Sequence, residues 1–267
     1  WKKGEKKLKK LIKKLGIFGV LLYNILEILL VWEERMNRKW EFYNVDEEKI
    51  REISEKHGIS ELLATVLYNR DVVDDDEINV FLNPKRSDFH NPYLMPDMEV
   101  AVERIIKAIE NKEKVMIYGD YDVDGITSIT VLKKFLMERG LDAGYKIPNR
   151  LNEGYGLNKT SIEKIAKDGY KLIITVDCGI SGNAEIDLAN SLGMEVIVTD
   201  HHEPLEELPN AIAVIDCKRK DNEYPFKSLA GVGVVFKLIQ AISQRLELDE
   251  KEYLKYLNSA EQYIIKK

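Results

Sequence analysis

The sequence predicts an α/β fold, a five-stranded parallel sheet with helices on both faces, preceded by a small helical segment. From about residue 113 to 246, short continuous runs of Val and Ile alternate with helix-like patterns. Such runs are typical of parallel strands buried on both faces. The apolar fraction of 45% and the charged fraction of 32% are those of an ordinary folded protein. The 267 residues suffice for one or two domains.

The first 35 residues differ in pattern from the rest of the chain. A lysine-rich stretch, KKGEKKLKKLIKK, leads into the mostly apolar segment 15–32. Its length is near the lower limit for a membrane span, but Glu27 would cost about 2.5–3.5 kcal/mol near the middle of a bilayer. We therefore favour an amphipathic helix, or translated sequence upstream of a start at Met36, over a membrane anchor with its lysines on the cytoplasmic side.

The next segment, over residues 36–100, is predicted to be helical. The stretch DEEKIREISEKHG has an N-cap candidate at Asp46 and a stop signal at Gly58. The stretch DDDEINVFLNP begins in the same way at Asp74, and its acidic residues suit the first turn of a helix.

Alternating helices and strands are predicted over residues 101–257. The elements are, in order, a helix MEVAVERIIKAIENKEK, a strand VMIY, a helix over 127–138, a strand near 143–147, a helix over 160–167, a strand KLIITVD, a helix near 183–191, a strand EVIVTD, a helical turn, a strand AIAVID and a helix over about 232–246.

Polar residues end three of these strands. The first strand ends in GDYDVDG, the third in TVDCG and the fourth in TDHH. Ligands bind at the carboxyl ends of the strands of open parallel sheets, so these residues are expected on one rim: Asp120, Asp122, Asp124, Asp177, Asp200, His201 and His202. Each strand-end aspartate has an alternative role as a helix cap, and Asp120 is the candidate for that role here.

A divalent cation would relieve the repulsion between carboxylates that converge without arginines. Carboxylate and imidazole ligands suit Mn²⁺, Mg²⁺, Fe²⁺ or Zn²⁺, and the excess of oxygen ligands favours Mn²⁺ or Mg²⁺. Two such ions about 3.5–4 Å apart can activate a water and hold a phosphoryl group. The sequence therefore indicates a two-metal phosphoesterase site.

Charge and cysteine content agree with an intracellular metal-binding protein. Residues 1–40 carry a net charge of +7 and the remaining residues −13. The acidic body argues against a general nucleic-acid coat and fits carboxylates neutralised by bound cations. Cys178 and Cys217 form no disulfide framework and no CxxC zinc pattern, which indicates a reducing compartment.

Two glycine-containing stretches flank the predicted rim. In PNRLNEGYGLN, Arg150 could pair with phosphate and Tyr155 could stack on a base, unless the loop is an ordinary turn. In LAGVGVVFK, the third glycine of a dinucleotide loop is missing, so Gly231 and Gly233 indicate tight helix packing or a close backbone approach.

Five motifs in this order resemble the DHH phosphoesterase superfamily and, within it, the RecJ-type single-strand-specific exonucleases. The motifs are GDYDVDGITS, IPNRLNEGYGL, ITVDCGI, VTDHHEP and LAGVGVVFKL, and the resemblance covers about residues 36–257. It implies a cytoplasmic 5′→3′ exonuclease of DNA repair and recombination that degrades single-stranded DNA with Mn²⁺ or Mg²⁺. It also implies single-stranded-DNA-binding protein and a helicase as candidate partners.

The resemblance also implies roles for individual residues. Asp120 would support its loop, and Asp200 would orient the histidine pair. The implied metal ligands are Asp122, Asp124, Asp177 and His201; the implied catalytic residues are His202, Arg150 and Asp200; the implied substrate-binding residues are Arg150, Gly154, Tyr155 and His202.

The sequence departs from the family at both ends. Residues 1–35 have no family counterpart, and residues 258–267 replace the strand that should carry a further metal-binding Asp. We therefore expect a truncated catalytic half with an incomplete two-metal site. Two alternatives stay open: a phosphoesterase acting on small nucleotides or oligonucleotides, and a non-catalytic nucleic-acid-binding scaffold.

Overall fold

The computed structural model describes residues 44–150 and 153–256. Contacts divide the chain into two compact units, one ending at Asp88 and one beginning at Phe89. The predicted extension over 1–35, its apolar segment 15–32 and the divergent end at 258–267 lie outside the described residues. Among the described helices, none has the length and apolar character that crossing a membrane requires.

The first unit contains three short helices whose ends are set by local hydrogen bonds. The Asp46 carboxylate accepts the N–H groups of the first turn, and Gly58 ends the helix in the left-handed conformation at a φ of 63°, so both predicted signals are confirmed. Asp74 caps the third helix as predicted. The helices are α1 (Glu47–His57), α2 (Glu61–Tyr68) and α3 (Asp75–Leu82). They bury Ile50, Ile53, Ala64, Leu67 and Ile78 against one another.

The second unit is a five-stranded parallel sheet in the order β2-β1-β3-β4-β5, which confirms the predicted fold class. The elements are α4 (Met98–Glu110), β1 (Val115–Gly119), α5 (Val123–Glu138), β2 (Gly144–Lys146), α6 (Lys159–Lys167), β3 (Leu172–Val176), α7 (Asn183–Ser191), β4 (Glu195–Asp200), β5 (Ala213–Asp216) and α8 (Gly231–Arg245), with helical residues again at 250–256.

Two predicted elements differ from the structure. Helix α5 begins at Val123, four residues before the predicted start, because the cap lies inside the GDYDVDG motif itself. The helical turn predicted between β4 and β5 does not form, and residues 201–212 contain bends and irregular backbone.

Side chains on both faces of the sheet are buried, as the continuous apolar runs predict. Along β1, Val115 and Ile117 enter one core, and Met116 and Tyr118 enter the other. This is the alternation expected of a strand. Helices α4, α5 and α8 cover the first face, and α6 and α7 cover the second. The strands are thereby fixed with all their carboxyl ends at one edge of the sheet.

The outer edge of β5 is closed by two side chains. The N–H of Val214 donates to the Asp97 carboxylate at 3.0 Å, and the carbonyl of Val214 accepts from the guanidinium of Arg219. Arg219 also binds the same Asp97 oxygen at 2.6 Å. Exposed edges can pair with other chains, and here the polar groups of the central edge residue are already satisfied.

We predict that Asp97→Ala lowers the free energy of unfolding by about 2 kcal/mol, because it removes one charged acceptor from two donors near β5. Urea denaturation measures the change. Asp142→Ala serves as the control, because Asp142 is 84% exposed and its ion-pair partner among the described residues is Lys133; we expect a change below about 1 kcal/mol. Equal effects of the two substitutions would contradict the role of Asp97.

Candidate metal centre

The parallel register brings three strand-end aspartates together. Gly119 of β1 pairs with Val176 of β3, and Val176 pairs with Thr199 of β4. The residues that follow these positions are Asp120, Asp177 and Asp200. Each is at most 3% exposed, so the sheet gathers buried carboxylates along its carboxyl edge.

The structure corrects the expected role of Asp120 as a helix cap. Asp122, and not Asp120, caps α5: its Oδ1 accepts the N–H of Gly125 at 2.9 Å. Asp120 is buried behind this turn, and its Oδ1 has no hydrogen-bond partner. A Cβ at position 125 would lie 2.5 Å from the Asp120 carbonyl oxygen, so glycine allows the helix to begin against the strand end. Burial raises the pKa of Asp120, and the Asp122 carboxylate adds to the rise.

Potential ligand atoms form two overlapping groups. Asp120, Asp122 and Asp177 offer one atom each, all within 4.8 Å of one another, and Asp177, His201 and His202 do the same. Asp177 belongs to both groups. Of the predicted metal ligands, the structure thus brings Asp122, Asp177 and His201 to one locus, and it adds Asp120 and His202 as neighbours.

The fourth predicted ligand, Asp124, is held at the edge of this locus. Its two oxygens accept the N–H groups of Gly231 and Val232 at 2.8 Å each, at the start of α8. Its Oδ2 lies 3.6 Å from Nε2 of His201. A Cβ at position 231 would lie 2.6 Å from Oδ1 of Asp177. This contact is the close backbone approach predicted for Gly231.

Asp177 is the most constrained member of the set. It is 2% exposed and adopts the left-handed backbone conformation at a φ of 58°. Its Oδ1 lies 3.0 Å from Nε2 of His201, yet no donor reaches it in hydrogen-bond geometry. Burial raises the pKa of Asp177 to about 6 against the opposing effect of His201. The adjacent Asp177 carboxylate raises the pKa of His201.

Asp200 is the fully hydrogen-bonded aspartate of the rim. Its Oδ1 accepts the backbone N–H of His201 at 2.7 Å and Nδ1 of His202 at 2.7 Å, and its Oδ2 accepts the N–H of Ile180 at 3.0 Å. Burial alone would raise its pKa, but the bonds from His202 and the backbone lower it. The Asp200 carboxylate in turn raises the pKa of His202. Nδ1 of His202 is therefore engaged, and Nε2 is left for other partners.

The loop after β2 brings Tyr155 to the rim. The Tyr155 hydroxyl donates to the carbonyl of Asp177 at 3.3 Å and lies 3.4 Å from Nδ1 of His202. Its ring is half exposed and meets the His202 ring edge-on at 5.9 Å. Gly154 precedes it at a φ of 77°, which glycine adopts without strain.

Arg150 lies on the same loop. Its guanidinium carbon is 5.5 Å from the centre of the Tyr121 ring, and its charge opposes the rise in the pKa of Asp120. The loop thus holds a cation whose charge acts on Asp120 of the first ligand group.

A fourth buried carboxylate at the rim was missed in the sequence. Asp216 ends β5 directly opposite Asp200 and is fully buried. Its Oδ1 accepts the N–H of Lys218 at 2.7 Å, whereas its Oδ2 has no partner. Burial raises its pKa to about 7, and Asp200 adds to the rise. The signal was present, because the strand AIAVID ends in an aspartate like the other three.

The residues present fit a divalent cation. Carboxylates and an imidazole are the donors that such ions take, and the buried oxygens Asp120 Oδ1 and Asp177 Oδ1 accept no hydrogen bond of good geometry from the described residues. A cation would satisfy both oxygens and offset the repulsion that raises these pKa values. Fold and site together define an α/β protein with a candidate divalent-cation centre at the carboxyl edge of its sheet.

Comparison with known proteins names the family. Residues 114–260 match the model described as "DHH family, N-terminal domain", and the chain belongs to the DHH family. The single-stranded-DNA-specific exonuclease RecJ of Bacillus subtilis (strain 168) is 43% identical over 204 residues, which cover 76% of this chain and 26% of the relative. RecJ of Escherichia coli (strain K12) is 42% identical over 146 residues, 54% of this chain and 25% of the relative. The chain thus spans about a quarter of the length of these relatives.

Solved structures of RecJ proteins are also similar to this chain. The crystal structure of RecJ in complex with Mn²⁺ from Thermus thermophilus matches with a TM-score of 0.62 and 25% identity, over 82% of this chain and 30% of that chain. The crystal structure of exonuclease RecJ bound to manganese matches with a TM-score of 0.57 and 33% identity, over 62% of this chain and 42% of that chain.

We predict that Mn²⁺ binds at this rim and that Asp177→Asn weakens the binding at least about 100-fold, because Asp177 is the one residue shared by both ligand groups. Affinity should also fall as the pH drops through about 6, since protonated Asp177 is no longer a charged ligand. Calorimetric titration between pH 5 and 8 measures both effects. Asp187→Asn on the exposed side of α7 is the matched control. Similar affinities of the two variants would contradict the assignment.

We predict that Asp216 makes the free energy of unfolding depend on pH. Its pKa is raised in the folded state, so between about pH 4 and 7 the folded state keeps a proton that the unfolded state has already released. The contribution of Asp216 to stability is therefore present below pH 4 and is lost as the pH rises to 7. Relative to Asp216→Asn, the parent should lose at least about 1 kcal/mol between pH 5 and 8. Parallel stability curves from urea denaturation would count against a protonated Asp216.

Proposed function

We propose that this chain is the catalytic part of a metal-dependent phosphodiesterase that removes nucleotides from the 5′ end of single-stranded DNA, with Mn²⁺ or Mg²⁺ as its cofactor. The observation that carries the proposal is the meeting of two ligand groups at Asp177, with His202 and Arg150 beside them. The names of the relatives, which are single-stranded-DNA-specific exonucleases, supply the substrate class.

The predicted ligands Asp122, Asp124, Asp177 and His201 would hold the metal. Asp120 stands behind them as a further carboxylate. A bound divalent cation lowers the pKa of a water and neutralises charge on a phosphoryl group. The protein contributes fixed positions: Asp122 is held by the first turn of α5 and Asp124 by the first turn of α8.

His202 and Arg150 would bind the oxygens of the scissile phosphate. Because Asp200 takes Nδ1 and raises the pKa of His202, the imidazolium can donate from Nε2 to an anionic oxygen. The Arg150 guanidinium offers a planar pair of donors that suits a phosphate. Such donors stabilise the charge that develops in the transition state. Asp200 acts through His202, as an orienting residue.

Tyr155 and Gly154 would complete the substrate site. The Tyr155 hydroxyl is anchored on the Asp177 carbonyl, and its half-exposed ring is left as a surface on which a base can stack. Gly154 leaves the space beside the loop free of a side chain, because no atom lies within 4 Å of the position of a Cβ.

The proposal includes a cellular setting. Cys178 and Cys217 are both free and buried, which agrees with a reducing compartment, the cytoplasm. There the activity would serve DNA repair and recombination. Single-stranded-DNA-binding protein and a helicase are the partners that would expose such a substrate.

We predict that the chain releases nucleotides from 5′-phosphorylated single-stranded DNA in Mn²⁺ and that His202→Ala lowers the rate at least about 100-fold, the usual cost of one charge-stabilising donor. A time course with DNA labelled at either end gives rate and polarity together. His57→Ala is the matched control, because His57 is bound to Asp75 in the first unit.

The substrates that the chain cleaves or binds would distinguish the proposed exonuclease from its two alternative functions. Cleavage of dinucleotides without cleavage of longer strands would indicate a small-nucleotide phosphoesterase instead. Metal-independent binding of single strands without hydrolysis would indicate a nucleic-acid-binding scaffold. Degradation from the 3′ end would contradict the proposed polarity.

A further inference from the structure

The turn after β5 places a lysine next to the histidine pair. Asp200 of β4 and Asp216 of β5 are register partners. His202 and Lys218 each follow their aspartate by two residues, and each donates its backbone N–H to that aspartate, at 3.2 Å and 2.7 Å. The two strands therefore leave the sheet through matching turns, which set Lys218 beside His202.

The charge of Lys218 is available at the surface. Its side chain is 32% exposed, and its ammonium lies 3.3 Å from the carboxylate of Glu203, which is itself 81% exposed. An ion pair with so much solvent around it is weak.

A small cavity opens next to this lysine. Its volume is about 240 Å³, and it lies between residues 203–208 and 218–221. Pro204, Leu205 and Leu208 supply apolar wall. Charges of both signs surround it, but Arg219 is already engaged by Asp97 and Asp221. The space is smaller than pockets that hold drug-sized ligands, which run from about 300 Å³.

We infer that Lys218 and this cavity form a further subsite for one nucleotide of a single-stranded nucleic acid, with Lys218 on a phosphate oxygen and the apolar wall against the adjoining base. The inference rests on the proposed function, because the neighbouring His202 is assigned to the scissile phosphate. Lys218 lies 3.3 Å from the carboxylate of Glu203, the residue that follows His202 in the chain. A chain of phosphates that passes His202 therefore meets Lys218 next.

Glu203 acts in this arrangement as an exchangeable counter-ion. Before substrate binds, the Glu203 carboxylate forms an ion pair with the Lys218 ammonium. A phosphate displaces the carboxylate, and the exposed Glu203 side chain moves into water at little cost. Loss of the lysine and loss of the glutamate therefore have opposite effects on affinity.

The test is binding of a 5′-phosphorylated single-stranded oligonucleotide, measured by fluorescence anisotropy in Ca²⁺ at several salt concentrations. We expect Lys218→Met to lower the affinity at least about fivefold and to reduce the slope of log K against log salt by about 0.7, the loss of one phosphate contact on a single strand. Glu203→Gln should raise the affinity. Thermal melting of each variant checks that the fold is unchanged.

Lys171→Met is the matched control, because exposed Lys171 precedes β3 and so lies at the opposite edge of the sheet. Equal affinity and slope for Lys218→Met and Lys171→Met would overturn the inference, as would weaker binding by Glu203→Gln or no binding by the parent chain. Lys218-dependent binding without Mn²⁺-dependent hydrolysis would instead contradict the proposed function alone.

Discussion

Packing several carboxylates against the end of one sheet is the constraint on which the rest of the second unit depends. Asp120, Asp177, Asp200 and Asp216 are all at most 3% exposed, and buried like charges repel one another. The protein satisfies one of them completely, because Asp200 receives donors on both oxygens. Each of the other three has an oxygen that accepts no hydrogen bond of good geometry from the described residues. A bound cation would offset the repulsion that remains.

Two helix N-termini stabilise the two less buried aspartates against the repulsion of their neighbours. Asp122 accepts an N–H from the start of α5, and Asp124 accepts two from the start of α8. The positive end of a helix dipole favours a nearby carboxylate. The contact between Asp124 and α8 also joins residues more than 100 positions apart. The last long helix of the unit is therefore part of the site as well as part of the core.

Much of this arrangement could be predicted from the sequence, and the rest could not, for physical reasons. Continuous apolar runs predict the strands, and parallel strands must share an edge, so Asp122, Asp177 and His201 could be assigned to one rim. The identity of the α5 cap could not be read, because Asp120 and Asp122 both precede the helix and only the turn decides between them. The contact between Asp124 and α8 depends on packing over long distances in the chain. Asp216 was overlooked, although its strand ends in an aspartate as the others do.

The closure of the β5 edge has a consequence for the order in which the protein is made. Asp97 precedes all five strands, yet its partners Val214 and Arg219 follow it by 117 and 122 residues. Contacts this distant form late, because a long loop must close first. During synthesis the chain emerges from its N-terminus, so Asp97 can meet Val214 and Arg219 only after β5 has been translated. Strand β5 is then held by a residue from the start of the same unit.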